Sequence, residues 1–460
     1  MAGFFSDLLQ ALREGRGSDM RFLCRHLLSE RGEASQTALA QEIITAYQAM
    51  TQAQRVSFFR MLCGEFSPDE AAILRAAADY QESPDAHNLA KLTAAVESPR
   101  QELLRRINTA PHGTEVLVAL REHVQQASSS GDDFSALDAD LNQLFRSWFN
   151  RGFLRLERIS WQTSAAVLEK LIRYESVHEI NGWPDLQRRL EADRRCFAFF
   201  HSALPNEPII FVEVALSRGL TGDMGPLLDI ETPVLSRERA NTTLFYSINN
   251  CRDGLRGIPF GNFLIKQVVT ELAAELPKIK IYSTVSPLPR LARALNEALT
   301  PQPNAQGFTR DRLCRLVTDF AADLTAAGCH DSVEALFRLL EDSLAYRDVL
   351  AAPLERLALA YIAQARQGGR LYDPVAIFHL SNGARLERIN AFGNRRSYGL
   401  EASYGVTVNY RYPPDDLEEN HERFVRHGQI RVSSNLYREY RIVAEAWNPV
   451  GIKSSVRVTR

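Results

Sequence analysis

Four short stretches carry residues able to do chemistry. In VAIFHLSNGARLERIN (375–390) an apolar run from Val375 to Phe378 leads into His379, and Asn382-Gly383 marks a tight turn behind it. A titratable ring where a buried element meets a turn is either a core histidine satisfied by a partner or a group kept from water for hydrogen-bond or proton work. In STVSPLPRLARAL (283–295) Ser286 precedes Pro287, and Leu288, Leu291, Ala292 and Leu295 follow at helical spacing. Ser286 is therefore expected to cap a helix whose first residue is proline. The same hydroxyl, at a strand end, could bond a carbonyl or carboxylate, although no GxSxG pattern marks an activated nucleophile. GLRGIPFGNFLIK (254–266) sets Gly254, Gly257 and Gly261 before a helix. Exposed loop amides and a helix dipole suit a pyrophosphate. The spacing matches neither the P-loop nor the dinucleotide fingerprint, Pro259 lacks a donor, and an ordinary glycine turn fits it as well. In NYRY (409–412), read as a strand, Tyr410 and Tyr412 are expected on opposite faces, one of them packing inside with its hydroxyl on a partner.

The elements that must position these groups fall into two kinds. Residues 1 to 155 read as helix throughout, a bundle for packing or assembly. Ser67-Pro68-Asp69-Glu70 and Ser98-Pro99-Arg100-Gln101 both look like helix starts capped by serine with proline first. ASSSGDD (127–133) reads as a loop by composition. From residue 156 to 460 short β-branched and aromatic runs take over: RCFAFFH (195–201), IIFVEVAL (209–216), TTLFYSI (242–248) and IKIYST (279–284). Turn residues Pro205, Asn206 and Pro208 are expected to bound them. GNFLIKQVVTELAAEL (261–276) reads as a helix, with Phe263, Val268, Leu272 and Leu276 near one face and Glu271 and Glu275 outside. Strand, strand, strand, helix, strand implies a sheet crossed by a helix. A helical stretch near 309–367 reads as an insertion. The fold class is α+β.

Composition narrows the partners. The 460 residues carry a formal charge of −2, so nucleic acid is not an expected partner. Six scattered cysteines form no CxxC pair, which argues against a zinc site or a disulfide framework and fits a reducing compartment. No apolar run approaches the length of about 18 residues that a membrane span needs. Asp7, Glu14 and Asp19 are wrong for an organelle presequence, and cytoplasm is the expected location.

Taken in order, five blocks resemble malonyl-CoA decarboxylase: YESVHEINGWPDLQRRLEADRRCFAFFH (174–201), LRGIPFGNFLIKQVVTELAAELP (255–277), YSTVSPLPRL (282–291), DPVAIFHLSNGA (373–384) and VNYRY (408–412). The resemblance implies a helical domain (1–155) followed by a catalytic domain (156–460) similar to the Gcn5-related N-acetyltransferase fold. It implies a carboxy-lyase of fatty acid metabolism that turns malonyl-CoA into acetyl-CoA and CO2 through an enolate. His379 and Ser286 would act on the malonyl group, with Tyr412 in support. The loop holding the CoA pyrophosphate maps onto Arg256, Gly257, Ile258, Phe260, Gly261 and Asn262. No metal and no added cofactor are implied, because the thioester itself accepts the electron pair. A homotetramer built as a dimer of dimers is implied too. Animal members carry a glutamate where this chain has Pro259, so a mechanism that needs that carboxylate does not carry over.

Overall fold

The computed structural model describes residues 19–30, 32–258, 261–299, 307–326, 331–447 and 458–459. Two compact units divide the chain. The first holds Met1–Arg155 with Phe200–Ile209 and Asn250–Pro259; the second holds Leu156–Phe199, Ile210–Asn249 and Phe260–Arg460.

The first unit is helical from Met20–Ser29 to Ser135–Trp148. Leu39, Ile43, Phe59, Leu103, Leu117, Leu141 and Phe145 are among its buried core side chains. Ser98 caps as expected: its Oγ accepts from the Gln101 amide, and Pro99 opens the helix Pro99–Asn108. The start near Ser67 is one device later than expected. Asp69 is the cap there, accepting from the amides of Ala71 and Ala72, while Ser67 Oγ donates to the Cys63 carbonyl. Asp69 has the side-chain length and charge that bind two amides at a helix N-terminus. The serine run is also less loop-like than its composition implied. The helix Gly113–Ser129 runs through Ser128 and Ser129, and Ser129 Oγ turns back onto the Gln125 carbonyl. Serines tolerate a last helical turn when their hydroxyls bond the preceding turn.

The sheet has the mixed α+β organisation expected from the sequence. Its strands are β1 (Leu154–Ile159), β2 (Arg194–His201), β3 (Leu204–Ser217), β4 (Thr242–Asn250), β5 (Ile281–Thr284) and β6 (Ser286–Pro287), later joined by β9 (Arg385–Asn390) and β10 (Thr407–Arg411). Two small pairs, β7 (Arg366–Gln367) with β8 (Arg370–Leu371) and β11 (Ile430–Arg431) with β12 (Val458–Thr459), lie outside it. The order is β1-β2-β3-β4-β5-β10-β6, with β9 also on β10. All eight residues of β2 are buried. Burial on both faces explains why β2 and β4 read as largely apolar runs. Strand β3 includes Pro205, Asn206 and Pro208 instead of starting after them. Proline is tolerated near a strand's end, where a missing donor costs little.

Strands β4 and β5 run parallel, Thr242 opposite Ile281 through Phe245 opposite Thr284. The helix Gly261–Glu275 makes the crossover between them. Helices between Arg310 and Gln364 fill the interval from β6 to β9, the expected insertion. No helix among the described residues is long and apolar enough to cross a membrane.

Candidate functional site

Strand β5 breaks at Val285, and the break makes the site. The Val285 amide still donates to the Phe245 carbonyl of β4 at 2.9 Å. One residue later Ser286 pairs with Val408 of β10 instead, and Pro287 pairs with Thr407. Strands β4 and β6 therefore part at Ser286. Side chains replace the missing ladder bonds: Thr284 Oγ1 accepts from the Tyr410 amide at 3.0 Å, and Asn409 Nδ2 donates to the Thr284 carbonyl at 2.6 Å. The β9–β10 register also shifts between Asn409 and Tyr410. A bulge of this kind re-aims the side chains that follow it.

The expected helix cap at Ser286 is not formed. The next helix begins at Leu291 with Arg290 before it, and Ser286-Pro287 stay extended. The ring of Pro287 disfavours helical backbone at Ser286, and β10 offers that residue a strand partner. The Ser286 hydroxyl is left for side chains.

His379 arrives on the helix Pro374–Ser381. Asp373 caps it, with Oδ1 accepting from the Ala376 amide at 2.7 Å, and Pro374 is its first residue. Tyr361 donates to the other Asp373 oxygen at 2.8 Å. Burial raises the Asp373 carboxyl to about 6 against the pull of these bonds. Ala376, His379 and Leu380 form the buried face, three and four residues apart. Gly383 ends the element with φ +82°; a Cβ there would stand 2.1 Å from the Leu417 carbonyl oxygen. Only glycine fits both constraints.

These elements bring three expected residues together. His379 Nε2 lies 2.9 Å from Ser286 Oγ, and Nδ1 lies 2.6 Å from the Tyr412 hydroxyl. Ser286 Oγ donates to Thr284 Oγ1 at 2.8 Å. Tyr410 was expected on the face away from Tyr412; instead its ring stacks on His379, with centroids 4.6 Å apart and planes at 23°. Residues two apart in a strand share a face, so both tyrosines meet the imidazole. His379, Ser286, Tyr410 and Tyr412 are all buried. Burial alone lowers the His379 pKa to about 3, so the ring is neutral. Burial also lifts both tyrosine hydroxyls well above their usual range. The arrangement offers uncharged hydrogen-bond donors in a dry place.

Sequence reasoning passed over Thr284 and the Asp373 cap. The signals were present: Thr284 is two residues from Ser286 on a strand, and Asp-Pro before an apolar run marks a helix start.

The expected phosphate loop is described in part. Asp253–Leu255 form a 3-10 turn, and Gly257 has φ +81°. The first unit's helix Gly113–Ser129 grips this loop. Arg121 donates to the carbonyls of Gly254 and Arg256, Glu122 accepts from the Gly254 amide, and a Cβ on Gly254 would meet the Val118 carbonyl at 2.2 Å. The amides of Arg256 and Ile258 are bonded to Asp253 and Leu255. Arg256 is exposed and pairs with Asp253 at 2.6 Å. Phe260, with Pro259, lies outside the described residues; Gly261 and Asn262 stand in the first turn of the following helix. Glu213, a buried acid on β3, is paired with Arg189 at 2.9 Å. A cleft of about 740 Å³ opens along β9, lined by Arg385, Glu387, Arg388 and Ser433, and does not include His379.

Two family models match the chain: the malonyl-CoA decarboxylase C-terminal domain over residues 152–449 and the N-terminal domain over 66–149. The mitochondrial malonyl-CoA decarboxylase of Anser anser anser is 34% identical over 355 residues, covering 74% of this chain and 69% of that protein. The mitochondrial enzyme of Rattus norvegicus is 30% identical over 431 residues, 89% of this chain and 86% of its own. The crystal structure of malonyl-CoA decarboxylase from Rhodopseudomonas palustris is 41% identical with a TM-score of 0.79, covering 92% of this chain and 99% of that one. The structure from Agrobacterium vitis gives 41% and 0.77 over the same shares.

Proposed function

The chain belongs to the malonyl-CoA decarboxylase family, and from that premise we propose that it releases CO2 from malonyl-CoA to leave acetyl-CoA. The observation that carries the proposal is the Ser286–His379–Tyr412 cluster, buried where β4 and β6 part. The acyl arm is assigned to this parting, beside the Phe245–Tyr412 and Phe378–His379 ring contacts.

The bond between the methylene carbon and the carboxylate carbon breaks. CO2 is released as the bond's electron pair stays on the methylene carbon and spreads onto the thioester oxygen as an enolate; that carbon then takes one proton, drawn in net from solvent. No added cofactor is needed, because the thioester is the electron sink. The protein supplies three things. CoA contacts far from the reacting carbon hold the short malonyl arm in place. The dry pocket strips water from the carboxylate. His379, neutral because burial holds its pKa near 3, donates a hydrogen bond to the enolate oxygen instead of acting as a cation. Ser286 donates to the carboxylate or thioester oxygen and fixes its rotamer. Tyr412 orients His379. By family position the pyrophosphate is assigned to residues 256–262, although the Arg256 and Ile258 amides are bonded to Asp253 and Leu255.

The test is purified protein with malonyl-CoA alone. Acetyl-CoA and CO2 in equal amounts support the proposal; release that waits for an amine acceptor would make the protein an acyltransferase, and saturable CoA binding without turnover would make it a sensor. Exhaustive dialysis against chelator leaves the rate unchanged. The homotetramer and the cytoplasmic location belong to the same proposal, and light scattering and cell fractionation check them.

A further inference from the structure

Proton order in the site follows from counting donors. Tyr412 is fully buried, and among the described residues its hydroxyl has one partner, Nδ1 of His379. A neutral imidazole carries one proton. If that proton sat on Nδ1, Tyr412 would accept it, and its own O–H would point into the protein without an acceptor. A buried orphan donor of this kind is costly. With the proton on Nε2, Tyr412, His379, Ser286 and Thr284 all use their donors, and among the described residues the Tyr410 hydroxyl alone of the site's side chains stays without a partner. Tyr412 O–H donates to Nδ1, and Nε2–H donates to Ser286 Oγ at 2.9 Å. Ser286 O–H passes to Thr284 Oγ1 at 2.8 Å, and Thr284 O–H ends on the Val408 carbonyl at 3.4 Å.

We propose that Thr284 is a positioning residue for the reaction: it accepts the hydrogen bond of the Ser286 hydroxyl, closes a one-way chain from Tyr412 to the Val408 carbonyl, and thereby keeps the His379 proton on Nε2. The direction is opposite to that of an activated serine nucleophile, in which the imidazole takes the hydroxyl's proton. Here Nε2–H and Ser286 O–H are both donors, and both can turn toward substrate oxygens. Chemistry on this chain thus needs no proton to leave Ser286. The kinetic consequence rests on the decarboxylase reading; the tautomer itself does not.

The test combines spectroscopy and kinetics on the full chain. In ¹⁵N-histidine-labelled protein, with His379 assigned by its loss in His379→Gln, Nε2 gives the protonated signal and Nδ1 the unprotonated one. Thr284→Val, close in shape, moves the signal toward the Nδ1–H form and lowers kcat about tenfold, the worth of one strong hydrogen bond, with KM unchanged. Thr284→Ser restores both. A merely structural threonine would lower stability without moving the tautomer. A wild-type protein already carrying the proton on Nδ1 overturns the proposal, as does a folded Thr284→Val enzyme with full kcat and an unmoved spectrum. Should Thr284→Val not fold, the wild-type spectrum decides alone. Wild-type protein that never turns over malonyl-CoA defeats the functional reading and leaves the tautomer measurement standing.

Discussion

Replacing His379 with alanine separates catalysis from stability in a way the geometry makes quantitative. The ring is fully buried and stacked on Tyr410, so its removal opens a cavity costing roughly 2–5 kcal/mol. Its two hydrogen-bond partners fare differently. Ser286 keeps Thr284 at 2.8 Å, whereas Tyr412 loses Nδ1, its partner at 2.6 Å, and a buried hydroxyl left alone costs a further ~1–3 kcal/mol. Against a total stability of about 5–15 kcal/mol, the combined loss of about 3–8 kcal/mol leaves the variant folded where the wild type lies above about 8 kcal/mol. Removing the Tyr412 hydroxyl as well removes the orphan. Tyr412→Phe should therefore stabilise the His379→Ala background by about 1–3 kcal/mol while destabilising the wild type by about 1 kcal/mol. Urea unfolding of the four proteins reads this sign change. Turnover, measured well below each midpoint as acetyl-CoA formed from malonyl-CoA, should fall about 100- to 1000-fold in His379→Ala for loss of one enolate donor, with CoA binding by calorimetry retained. A folded His379→Ala protein with near wild-type kcat refutes the chemistry. An equal effect of Tyr412→Phe in both backgrounds refutes the hydrogen-bond account.

Three further expectations use the same geometry. Ser286→Ala should lower kcat about 100-fold and cost ~1–3 kcal/mol of stability, because Ser286 caps no helix but its loss leaves the buried His379 Nε2–H without its acceptor; a rate loss that tracks thermal unfolding would leave it a structural role only. The pH dependence has a fixed sign. His379 titrates near 3 in the fold and near the ordinary 6.5 when unfolded, so its contribution to stability is complete above 6.5 and is lost as pH falls toward 3. Its neutral state also predicts no inflection in kcat from His379 between about pH 5 and 8, and one near 6.5 that disappears in His379→Gln would contradict this. Gly383→Ala forces a side chain into positive φ and against the Leu417 carbonyl; it should cost at least about 2 kcal/mol and, by shifting the His379 helix, lower kcat, so unchanged melting and activity would overturn the close-approach argument.

How much of this was legible beforehand differs from element to element. The strands from Arg194 to Thr284 were plain because they are buried on both faces and so spell continuous β-branched and aromatic runs. The crossover helix and the helical insertion were plain for the same local reason, apolar spacing of three and four. Ser286 shows the limit. Its neighbours Leu288, Leu291 and Leu295 do lie at helical spacing, and the helix Leu291–Glu297 does form, but β10 claims Ser286 first. Strand pairing is non-local, and no window around residue 286 contains residue 408.

By itself the sequence determined the residue types, the α+β class, the local helices and strands, and the family blocks that single out His379, Ser286 and Tyr412. Only the tertiary structure decided that an imidazole 93 residues beyond Ser286 stands 2.9 Å from its hydroxyl, that both tyrosines meet that ring, and that burial keeps it uncharged. The reason is physical. Helix and strand are set by periodicities a few residues long, whereas a hydrogen-bond distance and a lowered pKa depend on which distant segments exclude water together.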